Sequence, residues 1–282
     1  MFLLTAVSLL WAFSFGLIGN RLGDLPPGWL AWVRLALSAA VFLPFVCRIP
    51  WRCAISLFIT GAVQFGLMYW AYMSSFHWLQ SHEVALFTVL TPLFVAVLND
   101  ATQRRFHLRN LIAALLAVAG AAWIRWTQLE SAAPLWGILL VQISNLCFAA
   151  GQLAYRAILA RLPRPLPDLN VFFWLHFGGM AVLTPLALPL TLGDHPPAPT
   201  PEQWGVLIYL GLIASGVGFF LWNRGARQVS AGALAIMNNL KIPLSVAVSL
   251  LFFRETAQWP TLLVGTALIL FAFYPLRRRQ AK

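Results

Sequence analysis

Apolar residues run in long stretches along most of the chain, and polar residues gather in the short gaps between them. The stretches fall at approximately 3–20, 28–47, 53–75, 83–99, 107–125, 134–156, 168–190, 203–223, 231–252 and 257–276. Each is long enough to cross a hydrocarbon core as a helix, which takes about 17–25 residues. Gly, Pro and Asp clusters punctuate the gaps, as in 23-GDLPPG-28, 163-PRPLPD-168 and 193-GDHPPAPTP-201. A sheet open at its edges leaves backbone groups unpaired in lipid, and the ten-residue alternation of a membrane barrel is absent. The pattern predicts an all-α integral membrane protein with ten transmembrane helices.

Composition agrees. Hydrophobic residues make up 60% of the 282 and charged residues 10%, with a mean hydropathy of +0.78. A soluble domain is roughly half apolar and a quarter charged, so the solvent for this surface is lipid. The net charge of +11 raises nucleic acid as a partner, but the basic residues cluster in short loops, as the positive-inside rule describes. With the N-terminus inside, the cytoplasmic side carries Arg48, Arg52, Arg104, Arg105, Arg109, Arg156, Arg161, Arg164, Arg224, Arg227, Arg277, Arg278, Arg279 and Lys282. The outer side carries Arg21, Arg125 and Arg254. This predicts a multi-pass protein of the plasma membrane, the inner membrane of a bacterium, with both termini cytoplasmic and no nucleic-acid partner.

The first twenty residues lack a basic leader and an A-x-A cleavage site, and read as a first membrane helix. Cys47 and Cys53 flank one loop and Cys147 lies in an apolar run, a spacing that indicates neither metal site nor disulfide frame. No HExxH or GxSxG occurs, so neither an enzyme nor a cofactor is expected. Repeated filter loops and rings of like charge are absent too, which argues against a channel.

The chain reads twice. Setting Pro92 on Pro243 aligns 84-VALFTVLTPLFVAVL-98 with 235-AIMNNLKIPLSVAVSL-250, and then 111-LIAALLAVAGAAWI-124 with 262-LLVGTALILFAFY-274, at an offset of 151. The segment 8-SLLWAFSF-15 likewise meets 145-NLCFAAGQ-152. The unit is five helices, over 1–126 and again over 127–282. An odd unit repeated in one chain inserts with opposite orientation, and inverted repeats mark secondary transporters whose site lies near the midplane.

These segments, with 11-WAFSFG-16, 34-RLALSAAVFLP-44, 221-LWNRGARQVSAGALAIMNNLKIPLSV-246 and 254-RETAQWPTLLVGTALIL-270, resemble the drug/metabolite transporter superfamily, EamA-type branch. Arg254 stands where the family usually has glycine, and Gln103, Arg104 and Arg105 replace the acidic signal of the first half. The resemblance implies two inverted five-helix halves around a central cavity that move small metabolites, often outward. It also matches Arg34 to an arginine common at that point in the family.

Helical spacing nominates cavity residues independently. Asn238, Lys241, Ser245 and Ser249 share one quadrant of helix nine. Gln142, Asn145, Ala149 and Gln152 form a stripe in helix six, and Thr5, Ser8, Ala12 and Phe15 its counterpart in helix one. Thr88, Thr91 and Asn99 mark helix four. Tyr69, Tyr72 and Trp222 are candidates for the cavity wall by their place in the repeat. Such stripes also serve helix packing. Pro92 and Pro243 each remove a backbone donor and free the carbonyls of Thr88 and Asn239, which predicts matched helix bends, re-satisfied locally or used by the cavity.

Lys241 is the sharpest signal. At the bilayer centre a lysine costs about 2.5–3.5 kcal/mol on insertion scales. About eleven residues on either side, roughly 16 Å, put both surfaces beyond its reach. The acids Asp24, Glu83, Asp100, Glu130, Asp168, Asp194, Glu202 and Glu255 all lie at or beyond helix ends. Lys241 is therefore expected to meet an anionic ligand or a hydrated cavity, or else freed carbonyls. Arg34 reads equally as a structural arginine, and His176 as a packed histidine rather than a proton relay. The expected function is export, by alternating access, of small organic solutes such as amino acids or other carboxylate-bearing metabolites, anionic or zwitterionic. The alternatives are an exporter of drugs or other amphipathic compounds and a non-transporting membrane sensor. Oligomeric state is not indicated.

Overall fold

A computed structural model describes residues 1–79, 81–125, 134–162, 165–194, 196–252 and 259–279. Glu130, Arg164, Arg254, Glu255 and Lys282 lie outside the described residues, as do the side chains of Phe15, Arg125, Ser245, Ser249 and Arg277 to Arg279. Among the described residues there are helices and turns and no strand.

Helices α1 (Phe2–Arg21), α2 (Pro27–Phe42) and α3 (Trp51–Ser75) come first. Helix α4 is built of three pieces, Ser81–Phe87, a 3-10 turn Thr88–Leu90, and Thr91–Gln103. There follow α5 (Leu108–Arg125), α6 (Leu135–Ala160), α7 (Asp168–Leu192), α8 (Pro201–Ala226), α9 (Ala231–Phe252) and α10 (Trp259–Phe271). Five segments, Pro27–Phe45, α3, α6, α7 and α8, are long and apolar enough to cross a membrane by length and composition. Shorter apolar runs lie at Phe2–Ala12, Leu108–Ile124 and Pro260–Leu276.

The helix ends follow local chemistry. Thr200 accepts from the Gln203 amide and the Gln203 side chain accepts from Thr200, a capping box ahead of α8, with Pro201 in its first turn. Asp168 opens α7, where a carboxylate complements the amides of the first turn. Arg104 closes α4 in the left-handed region, with φ 50°.

Helix α2 lies along α7, α5 along α10, and α1 against α8 and α9. One apolar core joins Leu35, Phe65, Phe172, Leu175 and Trp222, and a second joins Val89, Ala113, Ala117, Ile236 and Ile269. The α5–α10 crossing is set by glycine. A methyl on Gly120 would sit 2.6 Å from the Gly265 carbonyl oxygen, and one on Gly265 would sit 2.5 Å from that of Gly120. Such backbone approach is how helices pack where lipid gives no hydrophobic drive.

Two departures from the expected helices bear on function. The prolines do not make matching breaks: Pro92 begins a new segment after the 3-10 turn, whereas Pro243 is carried inside a continuous α9. Conversely, α3 and α8 each contain a wide π-type turn, Ala62–Leu67 and Tyr209–Val217, which overlap under the repeat offset. π turns mark functional sites more often than chance.

Candidate functional site

A cavity of about 650 Å³, counted to its mouth, lies between α1, α2, α3, α4, α6, α8 and α9. Its wall is largely aromatic, with Trp11, Tyr69, Tyr72, Phe148 and Phe219 on it. Two cations, Arg34 and Lys241, face into it, and no acidic side chain is among the described residues lining it.

Arg34 is buried and held on one side. Its Nη2 donates to Tyr69 Oη at 2.8 Å and to Ser215 Oγ at 3.1 Å, and those two hydroxyls lie 2.8 Å apart. The guanidinium carbon stands 4.5 Å from the centre of the Tyr69 ring. Its other terminal nitrogen, Nη1, has no hydrogen-bond partner among the described residues. With Nε also donating to Ser215 Oγ at 3.3 Å, a guanidinium with two nitrogens anchored and Nη1 unpaired is positioned to take an oxygen of an oxyanion. Lys241 Nζ lies 6.0 Å from the Trp11 ring centre, at cation–π range. Trp11 is itself fixed by Nε1 donating to the Ala214 carbonyl at 2.9 Å.

The broken turn of α4 forms another wall, through Thr88 and Thr91. The carbonyl that Pro92 frees, that of Thr88, accepts from Thr91 Oγ1 at 2.7 Å, so it is re-satisfied locally. The neighbouring carbonyls are taken by other helices. Asn145 Nδ2 donates to Phe87 at 2.9 Å, and Gln142 Nε2 to the same oxygen at 3.3 Å. Asn239 Nδ2 donates to Val89 at 2.9 Å and to Ala117 at 3.1 Å. These braces explain why the prolines differ: α4 is interrupted where amides of α6 and α9 supply its missing partners.

Of the residues nominated from sequence, Lys241, Asn145, Tyr69, Tyr72 and Thr88 line this cavity. Asn238, Gln152 and Trp222 do not; they are buried about one turn away, toward the arginine-rich helix ends. Asn238 Nδ2 donates to the Leu234 carbonyl at 2.8 Å, and Trp222 Nε1 to Gln152 Oε1 at 2.9 Å. In α1 the expected stripe of Thr5, Ser8 and Ala12 is replaced by the adjacent face, Trp11 and Ser14. Ser8 turns back to its own helix, donating to the Leu4 carbonyl at 2.8 Å. His176 is packed between Phe42 and Phe65, with ring centres at 5.4 and 4.9 Å.

Arg34, Trp11, Ser14, Met68, Ser144, Phe148, Phe219 and the Ser215 hydroxyl are what sequence reasoning left out of the site. Arg34 carried a signal, a cation two turns inside an apolar helix, but the same signal fits a structural arginine. No group of three or more His, Cys, Asp or Glu that could hold a metal occurs among the described residues.

Known proteins resemble this architecture. A family model, the EamA-like transporter family, matches the chain twice, over residues 1–126 and 135–276. The "Biotin transporter" of Salmonella typhimurium is 40% identical over 99% of this chain and 93% of its own. That of Escherichia coli is 39% identical over the same shares. The "Probable biotin transporter" of Pseudomonas aeruginosa is 40% identical over 98% of each. A solved crystal structure, 19% identical, shares the fold with a TM-score of 0.78 over 99% of this chain and 98% of its own. Matched in both halves and along nearly its whole length, the chain belongs to the EamA-like transporter family.

Proposed function

We propose that the chain carries small monocarboxylates with an apolar or ring-bearing body across the membrane, with biotin as the chemical type. The carrying observation is the cavity wall. Two cations, Arg34 with an unpaired Nη1 and Lys241, stand among aromatic side chains, and no acidic side chain is among the described residues that line the cavity. The relatives named for biotin transport support the same chemistry. Biotin presents a carboxylate on an aliphatic chain and a neutral ureido ring, so a cationic, aromatic cavity complements it. Amino acids, expected from the sequence, fit less well, because nothing acidic on the described wall would receive an α-ammonium group. Cationic drugs are disfavoured for the same reason.

In this reading all ten helices cross the bilayer, with both termini on the arginine-rich cytoplasmic side of a bacterial inner membrane. The halves 1–126 and 127–282 are inverted and rock around the cavity to alternate access. A carrier that rocks around one site is reversible, so the imposed gradient sets the direction, and outward movement is read by loading the vesicles. The test is counterflow of labelled biotin in proteoliposomes, against amino acids and other organic anions, for wild type and Lys241→Met. Saturable biotin exchange that falls at least tenfold in a correctly inserted Lys241→Met variant is the expected result. Equal exchange in both proteins removes Lys241 from the site, and amino-acid exchange without biotin exchange overturns the substrate class.

A further inference from the structure

One helical turn beyond the cavity, toward the arginine-rich ends, four helices each present a buried amide. Gln64 precedes the wall residue Met68 by four positions, Gln152 follows Phe148 by four, Asn223 follows Phe219 by four, and Asn238 precedes Lys241 by three. Each offset is about one turn, of 3.6 residues in the α-helical segments and wider in the π turn that carries Gln64, which puts all four at a similar depth. Gln64, Gln152 and Asn223 are 0% exposed and Asn238 is 1% exposed. Gln64 Nε2 donates to Asn223 Oδ1 at 3.1 Å, joining α3 of the first half to α8 of the second. Gln152 holds Trp222, whose ring lies 4.9 Å from that of Trp11. The layer is tight: a methyl on Gly151 would come within 2.1 Å of Gln64 Cβ.

A seal alone needs only apolar side chains. This one leaves Gln64 Oε1, Asn238 Oδ1 and Gln152 Nε2 without hydrogen-bond partners among the described residues. Buried orphans of this kind are costly and call for an explanation. Two free acceptors and one free donor are the complement of a ureido group, which offers two N–H donors and one carbonyl.

We propose that these four amides form the inner gate and, as it opens, a second binding station for a neutral ureido- or amide-type head on its way out of the cavity. The station rests on the substrate reading above; the gate does not. The first test compares wild type with Gln64→Met/Asn223→Leu, which removes both partners of the cross-half bond and keeps the layer filled. Biotin affinity in nanodiscs is expected to change less than about threefold, while biotin counterflow falls at least tenfold. Unchanged counterflow, or a loss of affinity equal to the loss of rate, overturns the station.

A second arm needs no substrate. In a background without the native cysteines, Ser8→Cys places a thiol at the depth of the layer, where Ser8 is fully buried. Labelling by a membrane-impermeant maleimide from the arginine-rich side is expected to be slow, and to speed up at least tenfold when Gly151→Ala wedges α6 from α3. Labelling that is fast at the outset or insensitive to Gly151→Ala overturns the gate. Failure of wild type to bind biotin removes the substrate reading and the station, and leaves the gate to be judged by labelling.

Discussion

Arg34 Nη2 stands 2.8 Å from Tyr69 Oη while the same guanidinium lies 4.5 Å from the centre of the Tyr69 ring. One tyrosine thus orients the cation twice, by a hydrogen bond and by its π face. Ser215, on the π turn of α8, closes the triangle. Arg34→Lys keeps a charge but loses the planar fork, so its ammonium cannot hold Tyr69 and Ser215 and still present a second nitrogen. Affinity for biotin is expected to weaken about 10- to 100-fold, roughly 1.4–2.7 kcal/mol. Tyr69→Phe keeps the ring and is expected to cost less than about tenfold. Calorimetry in detergent reads both, and wild-type affinity in Arg34→Lys would remove the guanidinium from the site.

The brace from Asn239 is structural, and its loss belongs in stability. Asn239→Leu is close in size but leaves the Val89 and Ala117 carbonyls without their shared donor. Losing the buried amide's hydrogen bonds costs about 1–3 kcal/mol, which is expected as a clear drop in melting temperature. An unchanged melting point would mean that the α4 turn holds without α9.

At the α5–α10 crossing, Gly120→Ala drives a methyl against the Gly265 backbone, which no rotamer change relieves. Overpacking of this kind costs about 1–3 kcal/mol. Lower thermal stability with normal turnover in the surviving folded protein is the expected pair of results. Lost turnover at unchanged stability would move this crossing into the transport cycle.

The α4–α5 turn gives a pH signature. Burial raises the Asp100 carboxyl, but the His107 backbone amide at 2.7 Å, the His107 ring at 2.8 Å and the Asn99 amide at 3.2 Å together hold it below its ordinary value. A carboxyl depressed by folding stabilises the protein above its unfolded value, about 3.9, and that contribution is lost as pH falls through the lower folded value. Melting temperature is expected to fall on acidification below about pH 4 in wild type, and to fall less in Asp100→Asn, which starts lower at neutral pH. Parallel profiles for the two proteins would show that this carboxylate is not the titrating group.

Much of this molecule is written locally. Apolar runs with Pro, Gly and Asp between them mark helices to within a few residues, because lipid demands that each segment satisfy its own backbone. Lys241, Thr88 and Asn145 were legible because a charge, a proline-freed carbonyl and an amide stand out against an apolar run. The lateral phase of α1 was not: its polar stripe points to Ser8 and Ala12, yet Trp11 and Ser14 face the cavity. A short hydroxyl can satisfy itself on its own helix, as Ser8 does on Leu4, so its position says little about which way the helix faces.

Spacing along one helix thus determined which residues share a face and a depth, and so the helices, the repeat and the charge at its centre. Only the packing of helix against helix decided what each face meets. It turned Arg34 into a cavity cation, gave the carbonyls around Pro92 to Asn145 and Asn239, and left Pro243 in an unbroken helix. It also set Gln152 and Asn238, assigned to the cavity by spacing, and Trp222, assigned by its place in the repeat, one turn beyond it. Donors and acceptors from distant segments meet only in the folded molecule, and no periodicity within one helix encodes that meeting.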